Sequence, residues 1–262
     1  MINVNEIASV ATSAAKNAGR IIIDQSSKIK GITYKDKNKS IVTDVDHRAE
    51  KMIIEQIRRR YPRHNIISEE TGLHKGSEDV TWIIDPLDGT ANYAQSIPFY
   101  CVSIAVRVKN KNVVGVIYDP VHDELFCAAD KKFAYLGGKA IHVSSTKKLT
   151  DALCGFGFSK PGILSNNFKT LYPKIRKGRI LGSTALALCY VACGRLDIYT
   201  VDQINDWDVV AGLYILEKAG GTFHDVAGKN VLKSNKEKIR GLVADNTILH
   251  SQIIRTIKKT GA

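Results

Sequence analysis

A chain of 262 residues that is 44% apolar and 24% charged has the composition of a globular protein and the length for a large core. Its five cysteines, Cys101, Cys127, Cys154, Cys189 and Cys193, are odd in number and form no Cys-x-x-Cys, and no apolar run approaches membrane-spanning length. A disulfide framework, a zinc site and a membrane partner are therefore not expected, and the reading is a soluble cytoplasmic protein. The formal net charge of +12 admits nucleic acid as a partner without favouring it. The basic runs Lys28, Lys30, Lys35, Lys37, Lys39 and Arg58, Arg59, Arg60, Arg63 carry no interleaved aromatic rings on which bases could stack, so a solvated basic surface is expected.

Asn3 followed by Glu6 has the form of a capping box, and Ile7, Val10, Ala14, Ala18, Ile21 and Ile22 keep helical spacing, which predicts a first helix to about Asp24. The lysine-rich segment up to Ser40 reads as strand or loop, with Ile41-Val42-Thr43 extended. Thr43 is placed to cap a second helix whose buried face is Ala49, Met52, Ile53 and Ile57 and whose end is Pro62. Asp44, Asp46 and Glu50 have an innocent explanation there, since acids complement a helix N-terminus.

Residues 65–68 read as a short strand running into Glu69-Glu70. Residues 81–84 read as a buried strand that ends at Asp85-Pro86, because Pro86 has no N–H to give a ladder. Strands follow at 103–108, 113–118 and 124–128, the first two joined by a turn at Asn110-Lys111-Asn112, and a further strand from Phe133 closes at Gly137-Gly138. Past residue 143 strands at 153–158, 198–201 and 241–244 alternate with helices at 184–193, 209–219 and 249–257. Gly194 and Gly220-Gly221 stop the first two of those helices. The expected fold is mixed α/β in two subdomains, residues 1–143 with helices on a largely antiparallel sheet and residues 144–262 with alternating elements.

The chemistry concentrates in Asp85-Pro86-Leu87-Asp88-Gly89-Thr90. Asp85 and Asp88, three apart across a tight turn, can point at one spot past the strand end, and hard cations such as Mg2+ take such oxygen ligands. Gly89 and Thr90 would open a helix whose free N–H groups face an anion. Asp-Pro-x-Asp-Gly is also ordinary turn chemistry. An aspartyl-phosphate phosphatase is the sharper rival, but its nucleophile and acid sit two residues apart, and the spacing of three with Pro86 between suits shared metal ligation better. Asp44 with Asp46, Glu69 with Glu70, Asp85 with Asp88, and Asp206 with Asp208 make four acidic clusters, each at an element boundary.

Ile41-Val42-Thr43-Asp44-Val45-Asp46, Ser68-Glu69-Glu70, Trp82 through Tyr93, Gly182-Ser183-Thr184, Trp207 through Gly212 and Glu217 through Gly221 occur in an order that resembles the inositol monophosphatase family of Mg2+-dependent, lithium-sensitive phosphatases. The resemblance implies a layered α/β/α/β/α sugar-phosphatase fold, a homodimer, and two or three Mg2+ ions acting on a small phosphorylated metabolite. It makes Glu69, Asp85 and the Leu87 carbonyl ligands of one ion, and Asp85, Asp88 and Asp208 ligands of a second. Thr90 with Asp46 resembles the pair that orients the attacking water, and Glu69 and Lys35 join them as catalytic residues, with Lys37 and Lys39 close enough to compete for the lysine role. Leu87, Asp88, Gly89 and Thr90 are then on the phosphate side, and Gly182, Ser183 and Thr184 on the sugar or alcohol side.

One position departs from the family pattern. Inositol-specific members carry a glutamate seven residues before the last metal-binding aspartate, and this chain has Val201 there, with Asp202 on the opposite strand face. The expected reaction is metal-assisted attack of water on inositol 1-phosphate or a related sugar or alcohol phosphate. Fructose-1,6-bisphosphatase, histidinol-phosphatase and 3′,5′-bisphosphate nucleotidase are the alternatives within the fold, and a nucleic-acid-binding regulator is the alternative of another class.

Overall fold

The computed structural model describes residues 2–26, 33, 34, 41, 42, 44–129, 132–158, 166–225, 228–231 and 238–260. Lys35, Lys37, Lys39 and the expected cap Thr43 lie outside them.

Helix α1 (Val4–Ser26) begins where the Asn3 side chain accepts the Glu6 N–H, and its alanine-rich stripe of Ala8, Ala11, Ala14, Ala15 and Ala18 is buried. After the two-residue strands β1 (Thr33–Tyr34) and β2 (Ile41–Val42), helix α2 (Asp44–Arg60) buries Ala49, Ile53 and Ile57. Strands β3 (Asn65–Ser68), β4 (Gly72–His74) and β5 (Val80–Asp88) lead into the short helix α3 (Thr90–Ala94). Strands β6 (Cys101–Val108), β7 (Lys111–Asp119), β8 (Glu124–Ala129), β9 (Ala134–Leu136) and β10 (Lys139–Ile141) then run as antiparallel hairpins. Together they form an eight-stranded sheet of order β10-β9-β8-β7-β6-β5-β3-β4, in which β3 and β5 are the parallel pair.

The second half supplies β11 (Leu153–Gly157), α4 (Asn166–Leu171), β12 (Lys177–Arg179), α5 (Thr184–Ala192), β13 (Ile198–Asn205), α6 (Asp206–Lys218), β14 (Thr222–His224), β15 (Lys238–Asp245) and α7 (His250–Thr260). Its five strands are ordered β12-β11-β13-β15-β14, parallel among the first three and antiparallel thereafter.

Side-chain parity assigns the layers. Trp82, Ile84, Val102, Ile104 and Val106 face α1 and α2, whereas Ile83, Cys101 and Ala105 face α5 and α6. On the smaller sheet Tyr199, Val201, Leu242 and Ala244 face the same two helices, and Ile198 and Val243 face α7 and the Leu171 end of α4. Helices α5 and α6 are therefore apolar on all sides because a sheet covers each of their faces. The order is helices, sheet, helices, sheet, helices, the α/β/α/β/α stack implied by the resemblance. Gly115 lets the middle layer close on the larger sheet, since a Cβ there would stand 2.7 Å from the Ala211 carbonyl of α6.

Three expectations are corrected. Strand β5 does not stop before Pro86 but pairs again at Asp88, because a bulge between Asp85↔Ser103 and Asp88↔Cys101 places the proline where no ladder bond is needed. The turn between β6 and β7 is Lys109-Asn110, with φ of 47° and 63°, and Lys111 and Asn112 already belong to the strand. Strand β13 continues four residues beyond Val201 to Asn205, pairing its polar tail with Lys238, Ile239 and Arg240 of β15.

Candidate active site

The parallel pairing of β3 with β5 brings two strand ends side by side. The Glu69 N–H continues the ladder onto the Ile84 carbonyl at 3.1 Å, which sets Glu69 beside Asp85. Helix α6 starts against this edge, held by the two-pronged ion pair of Arg107 with Asp206 at 2.8 and 3.2 Å. Oxygens of Glu69, Asp85 and Asp208 consequently lie within 4.8 Å of one another.

Each carboxylate is aimed by its backbone. Asp85, 1% exposed, accepts the Leu87 N–H at 3.0 Å and so folds the strand end over itself. Asp208 accepts the Asn205 N–H at 3.2 Å across the first turn of α6. Asp88 is gripped by the start of α5, its Oδ2 accepting from the Ser183 hydroxyl and the Ala185 N–H at 2.6 Å each. Glu50, buried on α2, accepts the Glu70 and Thr71 N–H groups at 3.1 Å each and so fixes the turn that carries Glu69. Alongside, the Thr90 hydroxyl lies 3.1 Å from Asp46 and 2.9 Å from the Leu87 carbonyl.

Crowding and burial resist the charge that Asp85, Asp88 and Asp208 carry in water. Burial pushes Asp85 well above the usual carboxylate range, and Glu69, Asp88 and Asp208 push it further. Asp208 moves the same way, through burial first and then Glu69 and Asp88. Asp88 rises to about 6 through burial, restrained by the Ser183, Ala185 and Thr184 hydrogen bonds. A hard cation among such oxygens supplies the opposite charge they lack, and hard oxygen donors are the set that Mg2+ or Ca2+ takes.

The structure thus brings together Glu69, Asp85 and Asp208, with Asp88, Thr90 and Asp46 at the same strand ends. Gly182 is exposed, but Ser183 is turned to Asp88, and Thr184 is bonded to the Tyr199 hydroxyl at 2.8 Å. Val201 is 2% exposed and belongs to the apolar middle layer, where its side chain abuts Gly157. Two residues to which the sequence assigned no role in the site join it, Glu50 and Cys101, the latter with its sulfur 3.7 Å from the Ser183 hydroxyl. Glu50 was legible: it stands three and seven residues before Ile53 and Ile57, on the buried face of its helix.

A five-layered fold that gathers buried carboxylates at adjoining strand ends is that of the metal-dependent sugar phosphatases. The profile of the inositol monophosphatase family matches residues 3–262, and the chain belongs to that family, whose members are phosphatases. "Inositol monophosphatase 3" of Solanum lycopersicum is 40% identical over 237 residues, covering 86% of this chain and 88% of that protein. "Nus factor SuhB" of Haemophilus influenzae is 41% identical over 239 residues, covering 88% and 90%. Among solved structures, the extragenic suppressor protein suhB of Bartonella henselae superposes with a TM-score of 0.91 at 30% identity, covering 97% of this chain and 99% of that one. No helix among the described residues is long and apolar enough to cross a membrane.

Proposed function

We propose that the chain is a Mg2+-dependent phosphomonoesterase that hydrolyses inositol 1-phosphate or related sugar and alcohol phosphates. The observation that carries this reading is the triad of Glu69, Asp85 and Asp208 within 4.8 Å, with the Thr90–Asp46 pair beside it. Glu69, Asp85 and the Leu87 carbonyl are the residues to hold one ion, and Asp85, Asp88 and Asp208 a second. Bound there, Mg2+ supplies the positive charge that acidifies an attacking water and neutralises the leaving oxygen. Thr90 orients that water through Asp46, while the backbone of Gly89 and Thr90 meets the phosphate and the exposed backbone at Gly182 faces the alcohol. Phosphate release is expected to vanish in excess chelator and to return with Mg2+; a rate undiminished in chelator would sink the mechanism.

The chain lacks an acid at position 201, and this bears on substrate choice. A hydrogen bond to a charged acceptor contributes about 1.5–3 kcal/mol, and at 1.36 kcal/mol per decade its loss is roughly 10- to 150-fold in kcat/KM. We therefore expect another ester to be hydrolysed at least as well as inositol 1-phosphate. Comparing kcat/KM for inositol 1-phosphate, fructose 1,6-bisphosphate and a 3′,5′-bisphosphate nucleotide tests this, and a strong preference for the first would remove Val201 from the specificity argument.

The second reading, a nucleic-acid-binding regulator on the same fold, is motivated by the net charge of +12. It would show as RNA binding with a steep salt dependence and no hydrolysis of any phosphate ester.

A further inference from the structure

Asp88, on the first half of the chain, is held from the second half by the start of α5, and a single side chain sets where that hold arrives. The amide nitrogen of Asn92 on α3 donates to the Phe99 carbonyl before β6 and to the Leu181 carbonyl before α5, each at 2.7 Å. A primary amide has two N–H groups, so both bonds form together. The amide also lies flat against Gly182, whose φ is 82° and where a Cβ would come within 2.6 Å of it. A glycine is the residue that permits both the left-handed turn and the close approach.

One residue further on, Ser183 begins α5, and its hydroxyl and the Ala185 N–H both reach Asp88 Oδ2. Ser183 is 3% exposed and also accepts the Leu186 N–H at 3.3 Å, so its hydroxyl is locked between the helix it caps and the carboxylate it serves. The path from Asp88 through α3 to Asn92, across to Leu181, along Gly182 and Ser183, and back to Asp88 closes a ring that crosses the two halves. Both of these bonds fall on Oδ2, which makes Oδ1 the candidate oxygen of Asp88 for a ligand.

We propose that Asn92 is a positioning residue for the cation site: it registers the start of α5 so that Ser183 and Ala185 hold Asp88 with Oδ1 presented. This rests on the reading of Asp88 as a cation ligand. Asn92 itself touches neither substrate nor reacting atoms. Its loss leaves the acids in place but lets the start of α5 shift, so it acts on metal affinity rather than on the chemical step at saturation.

The test is a Mg2+ titration of wild type, Asn92→Ala, Ser183→Ala and the double variant. Three quantities are read: the Mg2+ concentration for half-maximal phosphate release, that for half-maximal thermal shift, and kcat at saturating Mg2+. Residues that orient a metal ligand typically contribute 10- to 100-fold in affinity. Each single variant is expected to raise both Mg2+ midpoints by about tenfold, and Asn92→Ala to do so with little change in saturated kcat. The double variant should fall short of the product of the two, since both act through one ring. Metal-free melts record the purely structural loss separately, and Asn92→Ser takes the place of Asn92→Ala if the alanine variant does not fold. Midpoints equal to wild type, or singles that multiply in the double variant, would overturn the proposal. A wild type with no response to Mg2+ in either assay would instead refute the metal-dependent reading.

Discussion

Asp85→Asn is expected to lower phosphate release by roughly 10²–10⁴-fold and, in chelator, to raise the melting temperature. The two effects have one cause. Asp85 is buried beside Glu69 and Asp208, and burial with like charge holds its carboxyl well above the ordinary range. The folded metal-free protein therefore keeps protons that the unfolded chain gives up, and its stability falls as pH rises. The fall begins near the unfolded aspartate value of about 3.9 and extends through the value of about 6 at Asp88. Asparagine removes the charge, keeps the shape, and retains an oxygen for the Leu87 N–H. The pH slope should flatten in the variant, and each kcal/mol of relief should appear as about 2–4 °C in Tm. Activity falls because the carboxylate's share of charge stabilisation is lost, several kcal/mol or roughly 10²–10⁴-fold. Melts between about pH 4 and 8, with and without Mg2+, check both signs. A variant less stable than wild type in chelator would make Asp85 a structural residue.

The acids were legible in the sequence because they sit where regular elements end. Glu69 and Asp85 close two apolar runs, and the parallel register that sets those ends side by side follows from their hydrophobic cores. Asp46 and Glu50 carried a sharper signal than the helix-dipole explanation used. Asp46 stands three residues before Ala49 and seven before Ile53, on the face that packs against the sheet, and an acid on a buried face must have a partner. The partners are Thr90 and the turn after β3, too far along the chain for spacing to disclose.

Layer order was legible only in part. Helix α5 buries every residue but Tyr190 and α6 buries Val209 through Leu216, and an all-round apolar helix predicts cover on both sides without saying which sheets provide it. The passage of β5 across Pro86 was hidden because a bulge is a tertiary choice, decided by where β6 offers its next partner. The short edge strands β4, β12 and β14 have three residues each, too few to show a period of two. The motif Gly182-Ser183-Thr184 was recognisable, but not the direction of its hydroxyls, which depends on a carboxylate 95 residues away.

Thr90→Ala is expected to lower kcat by roughly 10²–10⁴ at saturating Mg2+ and substrate, the span of a positioned proton-transfer group. The Thr90 oxygen lies between two acceptors, Asp46 Oδ1 and the Leu87 carbonyl, and has one proton to give. A carboxylate is the stronger acceptor, and Asp46 is 1% exposed at the start of α2, where little water competes for it. Donation towards Asp46 would leave the lone pairs of Thr90 as acceptors for a water, which on the proposed reading would be held with one hydrogen turned inward and an oxygen lone pair turned out. Alanine removes that acceptor without removing a carboxylate, so the Mg2+ midpoint of the thermal shift should stay near wild type, in contrast to the Asn92 and Ser183 variants. Thr90→Ser retains the hydroxyl and should retain most of the rate. Asp46→Asn offers an N–H where an acceptor is needed, turns the Thr90 proton outward, and should therefore resemble Thr90→Ala. Measured kcat for the three variants decides the matter: a Thr90→Ala enzyme that keeps more than about a tenth of the wild-type rate is outside the range of a water-orienting group.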